Sequence, residues 1–206
     1  MARNRVRVEE RALAAACERS DIVIADRWLP ASCRPRWLKA DRKLLDETGG
    51  LVGSGGMGVL INEIQPANNT TIPDEHNLYP DWIELYNGGT RRANLEGYFI
   101  TDDPDVPFKQ RLPAQATIAP KGYLLLWAAD DADPSDPLHL SFALSQGGEG
   151  VWISDPNGNL LDGTDFGWEL GDQSYARFPD GRGAFKWCWA PTPEESNGTE
   201  CPPPLP

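Results

Sequence analysis

The sequence predicts an all-β domain, a sandwich or barrel, preceded by a short α/β segment. Three observations carry that reading. Gly and Pro supply 39 of the 206 residues, so turns are forced throughout and long uninterrupted helices are excluded over most of the chain. From Val59 onward, short apolar or alternating runs recur at intervals of roughly 8 to 15 residues, separated by turn residues, as in sandwiches and barrels. Hydrophobic residues make up 40% of the chain, enough to bury a core, yet no apolar run approaches the roughly 18 to 20 residues of a membrane-spanning helix.

The first 50 residues differ in kind from the rest. They hold 11 Lys and Arg against 8 Asp and Glu, whereas the remaining 156 residues carry 8 against 23. Residues 10–19 combine strong helix formers with charges at both ends and predict a helix. Asp21-Ile-Val-Ile-Ala25 then reads as a short buried strand. Residues 36–47 predict a second helix, stopped by Gly49-Gly50. The expected organisation is an αβ segment over 1–52, a Gly-rich junction over 53–58, the sandwich over 59–190 and a Pro-rich tail over 191–206. Residues 202–206, Pro-Pro-Pro-Leu-Pro, suit polyproline II and are expected outside the core.

The strand segments, in order, are 59–65, 82–86, 97–101, 108–112, 116–119, 123–128, 138–144, 150–154, 160–166, 174–178 and 185–189. In Asp81-Trp-Ile-Glu-Leu-Tyr-Asn87, alternation sends Ile83 and Leu85 to one face and Trp82, Glu84 and Tyr86 to the other. Asp155-Pro-Asn-Gly-Asn159 between two apolar runs predicts a hairpin turn.

With a net charge of −15 beyond residue 50, the acidic part repels phosphate backbones, which argues against nucleic-acid binding. The amino terminus is basic, but Glu9, Glu10, Arg11, Glu18 and Arg19 interrupt any apolar stretch, so no secretory signal is read there. Cys17 and Cys33 lie in the basic part, Cys188 and Cys201 in the acidic part. Their separations match no zinc pattern and fit two local disulfides, in an oxidising compartment, as well as four free thiols.

An ordered set of blocks then resembles the lamin tail domain in its bacterial form, over residues 60–198. The blocks are Ile61-Asn-Glu-Ile64, Asp81-Trp-Ile-Glu-Leu-Tyr-Asn87, Leu95-Glu-Gly-Tyr-Phe-Ile-Thr-Asp-Asp-Pro104, Ile118-Ala-Pro-Lys-Gly-Tyr-Leu-Leu-Leu-Trp127, Phe142-Ala-Leu-Ser145 and Ser174-Tyr-Ala-Arg-Phe-Pro-Asp-Gly181, followed by Pro191-Thr-Pro193. The resemblance implies an immunoglobulin-like β-sandwich without enzymatic activity, acting on protein or cell-envelope partners. It also implies an extracellular or cell-envelope location. Residues 11–50 separately resemble the carboxyl-terminal end of the metallo-β-lactamase-like domain of DNA-uptake competence proteins, through Asp21-Ile-Val-Ile-Ala-Asp-Arg-Trp-Leu-Pro30, Pro35-Arg-Trp-Leu-Lys39 and Thr48-Gly-Gly50. The His-rich metal motif of such hydrolases is absent there.

Candidate chemistry is confined to a few places. Asp130, Asp131, Asp133 and Asp136 offer four carboxylates within seven residues, and Ca2+ takes six to eight oxygens, several from carboxylates close in sequence. Asp74, Glu75 and Asp81 form a second candidate set for Ca2+. In the bacterial relatives an acidic-glycine pair stands where this chain has His76-Asn77. Solvated Asp-rich turns are common on surfaces and are the favoured reading of both runs, as of Asp102-Asp-Pro-Asp105. No G-x-S-x-G elbow occurs, Ser145 has no identifiable base, and His76 and His139 are the only imidazoles, the structural role being the usual one for such a His. A glycosidase pair would be diagnosed only by its carboxylate separation. Glu84, among apolar neighbours, is expected to be hydrogen-bonded and structural. Most Trp residues fit a sandwich core, but Trp168, flanked by Gly167 and Gly171, is the candidate exposed platform for a sugar or protein. A Ca2+-assisted carbohydrate-binding module is therefore the alternative to a protein-binding or envelope-binding one.

Overall fold

The computed structural model describes residues 17, 22–24, 38–40, 58–133 and 135–201. Two compact units make up the chain, Met1–Gly56 and Met57–Pro206. In the first, β1 (Ile22–Ile24) and β2 (Leu38–Ala40) pair in parallel, Ile22 beside Leu38. The β1 strand falls where the apolar run predicts one. The β2 strand corrects the expected helix over 36–47: helix propensities differ by only tenths of a kcal/mol per residue, and a strand partner outweighs them. Cys17 is helical, buried and disulfide-bonded. The rest of the segment read over 1–52, with Cys33, the junction before Gly58 and the tail at 202–206 lie outside the described residues.

The second unit runs through β3 (Val59–Gln65), β4 (Asp81–Asn87), β5 (Ala93–Asn94), β6 (Phe99–Thr101), β7 (Gln110–Arg111), β8 (Thr117–Ile118), β9 (Tyr123–Ala128), β10 (His139–Leu140), β11 (Gly148–Ser154), β12 (Leu160–Gly167), β13 (Ser174–Phe178) and β14 (Ala184–Cys188). They form a six-stranded sheet in the order β10-β9-β4-β3-β13-β14, a four-stranded sheet β12-β11-β6-β7 and the small pair β5-β8. This is an all-β, immunoglobulin-like sandwich. Each strand segment read from the alternation has its counterpart; β5, two residues long, is too short to show a period. The hairpin at 155–159 forms as expected: the Asp155 carboxylate accepts from the N–H groups of Asn157 and Asn159, and Gly158 takes φ +80°.

Ile83 and Leu85 of β4 and Leu124 and Leu126 of β9 form one core with Ile100, Val151 and Ile153 of the other sheet. Ile61 and Ile64 join them although they stand three apart, which an unbroken strand forbids. A bulge between Ile61 and Glu63 resolves the conflict, since the extra residue, Asn62, resets the alternation.

The outer face of the six-stranded sheet is buried too. Alternation correctly separates Trp82, Glu84 and Tyr86 from Ile83 and Leu85, but Trp82 and Glu84 are both fully buried. Trp82 packs with Leu125, Trp127 and Ile72, and its indole N–H donates to Gln65 at 2.6 Å. Further along, the segment after β14 folds back over the sheet. Thr192 N–H donates to Glu63 and Glu194 N–H to Glu84. Asn197 donates to the carbonyls of Asn62 and Arg177. A disulfide joins Cys188 to Cys201 beyond it. The boundary read at 190 therefore falls short of the folded unit, because polar residues in a Pro-containing stretch give no strand period to read.

Candidate functional site

Four connections meet at one end of the sandwich, because β3 ends where β4 begins, β9 ends where β4 begins, and β13 starts beside the end of β3. Their own polar groups knit them together. Asp172 accepts from Asn69 and Thr70 N–H, Glu169 N–H donates to the Gln146 carbonyl, Asp81 accepts from Leu144 N–H at 3.0 Å, and Asp130 accepts from Ala143 N–H at 3.0 Å. Leu78, Tyr79, Trp168 and Leu170 nevertheless stand exposed on these loops, Trp168 at 62%.

The β3–β4 loop is shaped by Asp74, whose carboxylate accepts from the N–H groups of His76 and Leu78, both at 2.9 Å. That tight turn puts Asn77 at φ +60°, a conformation Asn tolerates better than most residues. It also aims His76 and Glu75 at the loop after β9. His76 Nε2 lies 2.9 Å from Asp136 Oδ2, and Glu75 Oε1 lies 3.2 Å from His139 Nε2. A cavity of about 450 Å3 opens beside them, lined by Asp74, His76, Tyr79, Asp131, Asp136 and His139 among others.

Of the predicted acidic residues, the structure brings one from each run together. Among the described residues, only Glu75, Asp136 and His139 place three ligand-type atoms within 4.8 Å of one another. Asp133 is occupied in capping Ser135, Asp74 in its own turn, and Asp81 in holding Leu144, its carboxyl pushed up to about 6 by burial. Asp131 lines the cavity without joining the trio. His139 is the member that sequence reasoning assigns to structure. Its sequence neighbour Asp136 is visible locally, but Glu75 comes from the β3–β4 loop, far away in the chain.

A second acidic cluster lies on the outer face of the sheet and has the opposite character. Glu63 and Glu84 face each other across β3 and β4, both with no exposure. Burial pushes Glu84 up to about 9, with the neighbouring Glu63 adding to it, and Glu63 up to about 7. Asn62 Nδ2 donates to both Glu84 and Asp180 at 3.1 Å. The expected structural role of Glu84 fits this arrangement, and Glu63, Asn62 and Asp180 join it unannounced by the sequence. Ser145 caps its own turn: its hydroxyl accepts from Gly147 N–H, and its N–H donates to Glu149.

The model of the lamin tail domain family matches residues 54–169. No curated protein matches the chain. A match over more than half the chain, on a sandwich whose strands fall where that family's blocks stand, means that the chain belongs to the lamin tail domain family, a family of generally non-enzymatic immunoglobulin-like modules.

Proposed function

We propose that this protein is a binding module that engages a protein or cell-envelope partner, outside the cytoplasm, through the loops at one end of its sandwich. One observation carries the reading: Leu78, Tyr79, Trp168 and Leu170 are exposed on loops that hydrogen bonds hold to one another. Large apolar side chains on a rigid scaffold supply contact area at low entropic cost, and loops positioned by a scaffold are where binding residues concentrate. The Cys188–Cys201 disulfide supports an oxidising location.

The test is co-sedimentation of the purified protein with cell-envelope preparations, beside a Trp168→Ser/Leu170→Ser variant. Both side chains are exposed, so the variant is expected to melt with the parent and to lose about tenfold or more in retention. Equal retention of the two proteins would remove this loop end from the interface. The carbohydrate alternative draws on the same exposed Trp168, as a stacking platform. Retention competed by soluble glycan, rather than by protease treatment of the envelope, would favour it.

A further inference from the structure

We propose that Glu75, Asp136 and His139 form a binding site for a divalent transition-metal ion of the Zn2+ type, open to the adjoining cavity. The trio is set apart from an ordinary acidic surface by its histidine. The His139 side chain is only 4% exposed, and its Nε2 is buried without a hydrogen-bond partner. It lies 3.2 Å from Glu75 Oε1, close enough for an ion pair but outside hydrogen-bond geometry.

That combination is what two ligands of one ion show. An ion shared by the two would account for both the short separation and the unpaired nitrogen. With metal–ligand bonds of about 2.0–2.1 Å, two tetrahedral ligands stand about 3.3 Å apart. Asp136 is the third ligand, and His76 positions it: Nε2–H donates to Oδ2 at 2.9 Å, the outer-shell pairing of imidazole and carboxylate that fixes ligand orientation at metal sites. Three protein ligands leave the fourth position to water or a partner's donor, and two of the three, Asp136 and His139, line the cavity.

The ligand chemistry selects the ion. One imidazole and two carboxylates suit Zn2+ and its neighbours, whereas Ca2+ takes six to eight oxygens and no imidazole. Asp130, Asp131 and Asp133 lie outside the trio, so oxygens do not accumulate to that number. Its ligands include neither Trp168 nor Leu170, the residues on which the test of the binding role rests, so the two readings fail separately.

The test is calorimetric titration of the full, chelator-stripped chain with ZnCl2, with CaCl2 in parallel and the visible absorption of Co2+ as a reporter of tetrahedral nitrogen and oxygen ligands. One Zn2+ per chain is expected, with little heat from Ca2+. Glu75→Gln and His139→Ala should each weaken Zn2+ by about tenfold or more, and Asp133→Asn should leave it unchanged. Because His139 is buried, Glu75→Gln carries the test if His139→Ala fails to fold, the Glu75 side chain being 53% exposed. Absence of Zn2+ binding, or binding that survives Glu75→Gln, overturns the site and leaves a side-chain contact between His139 and Glu75. Stabilisation by Ca2+ through the same carboxylates overturns it in favour of a hard-cation site.

Discussion

The two acidic clusters of this sandwich differ in what the chain supplies to them. On the outer face of the six-stranded sheet, Glu63 and Glu84 are sealed from water and receive donors from Thr192, Glu194 and Asn62. At the loop end, Glu75 is half exposed and the buried ring nitrogen of His139 has nothing to bond. Acidity is common to both, so it distinguishes neither. What separates a cluster that holds the fold from one that is open to a ligand is whether the chain has already satisfied its polar atoms.

Protonation shows the structural cluster most directly. The Thr192 hydroxyl donates to Asn197 Oδ1 at 2.6 Å and also lies 3.1 Å from Glu63 Oε2. A hydroxyl has one proton to give, so that second contact is best made by a Glu63 that carries its own. With both carboxyls raised above their usual 4.5, the folded state holds protons that the unfolded chain releases. Stability is therefore fully present below the unfolded value and is lost as pH rises through about 7 and then about 9. The slope is about 1.4 kcal/mol per pH unit for each retained proton. Asp81 adds the same sign at the lower edge of the window. Urea unfolding at five pH values from 5 to 9 should give a falling profile, made shallower by Glu84→Gln. A flat or rising profile would break the comparison, by showing these carboxylates ionised in the fold.

The clasp over that cluster is the next lever. Cys201 is tied to Cys188 across 13 residues, and the enclosed segment supplies Thr192, Glu194 and Asn197. Cys201→Ser should cost about 3 kcal/mol on loop entropy, read as a lower urea midpoint. If the clasp covers the carboxylates as described, the same change should also flatten the pH profile, because water reaches Glu63 and Glu84. Asn197→Ala should cost less, about 1–3 kcal/mol, by leaving the Asn62 and Arg177 carbonyls without their donor. An unchanged midpoint in either variant would mean that the segment rests on the sheet without sealing it.

The fold was legible because strand period survives tertiary packing: 59–65, 123–128 and 174–178 coincide with their strands to the residue. Ile61-Asn-Glu-Ile64 shows where period fails, since its spacing of three makes sense only once the bulge at Asn62 is seen. Residues 38–40 fail for another reason, their strand partner lying 16 residues earlier. The candidate site was half legible. Runs of Asp and Glu are visible in any sequence, but which carboxylates converge depends on the turn that Asp74 caps. Whether the histidine beside them is satisfied is a property of geometry alone. Trp168 was legible as exposed because Gly167, where β12 ends, and Gly171 flank it.

The smallest expected effect is the sharpest contrast. Glu75→Gln removes a carboxylate from the loop end, as Glu84→Gln does from the sheet, yet in metal-free protein it should change stability by no more than about 0.5 kcal/mol. Glu75 accepts no hydrogen bond that the fold needs, its 3.2 Å contact with His139 lying outside bonding geometry, and much of its side chain is already in water. Removing one negative charge among Asp74, Asp131 and Asp136 also relieves repulsion, which offsets the loss of the contact with His139. Melting of the metal-free variant beside the parent reads this directly. A loss comparable to that of Asn197→Ala would mean that Glu75 is tied into the fold after all, and that the two clusters differ in position rather than in kind.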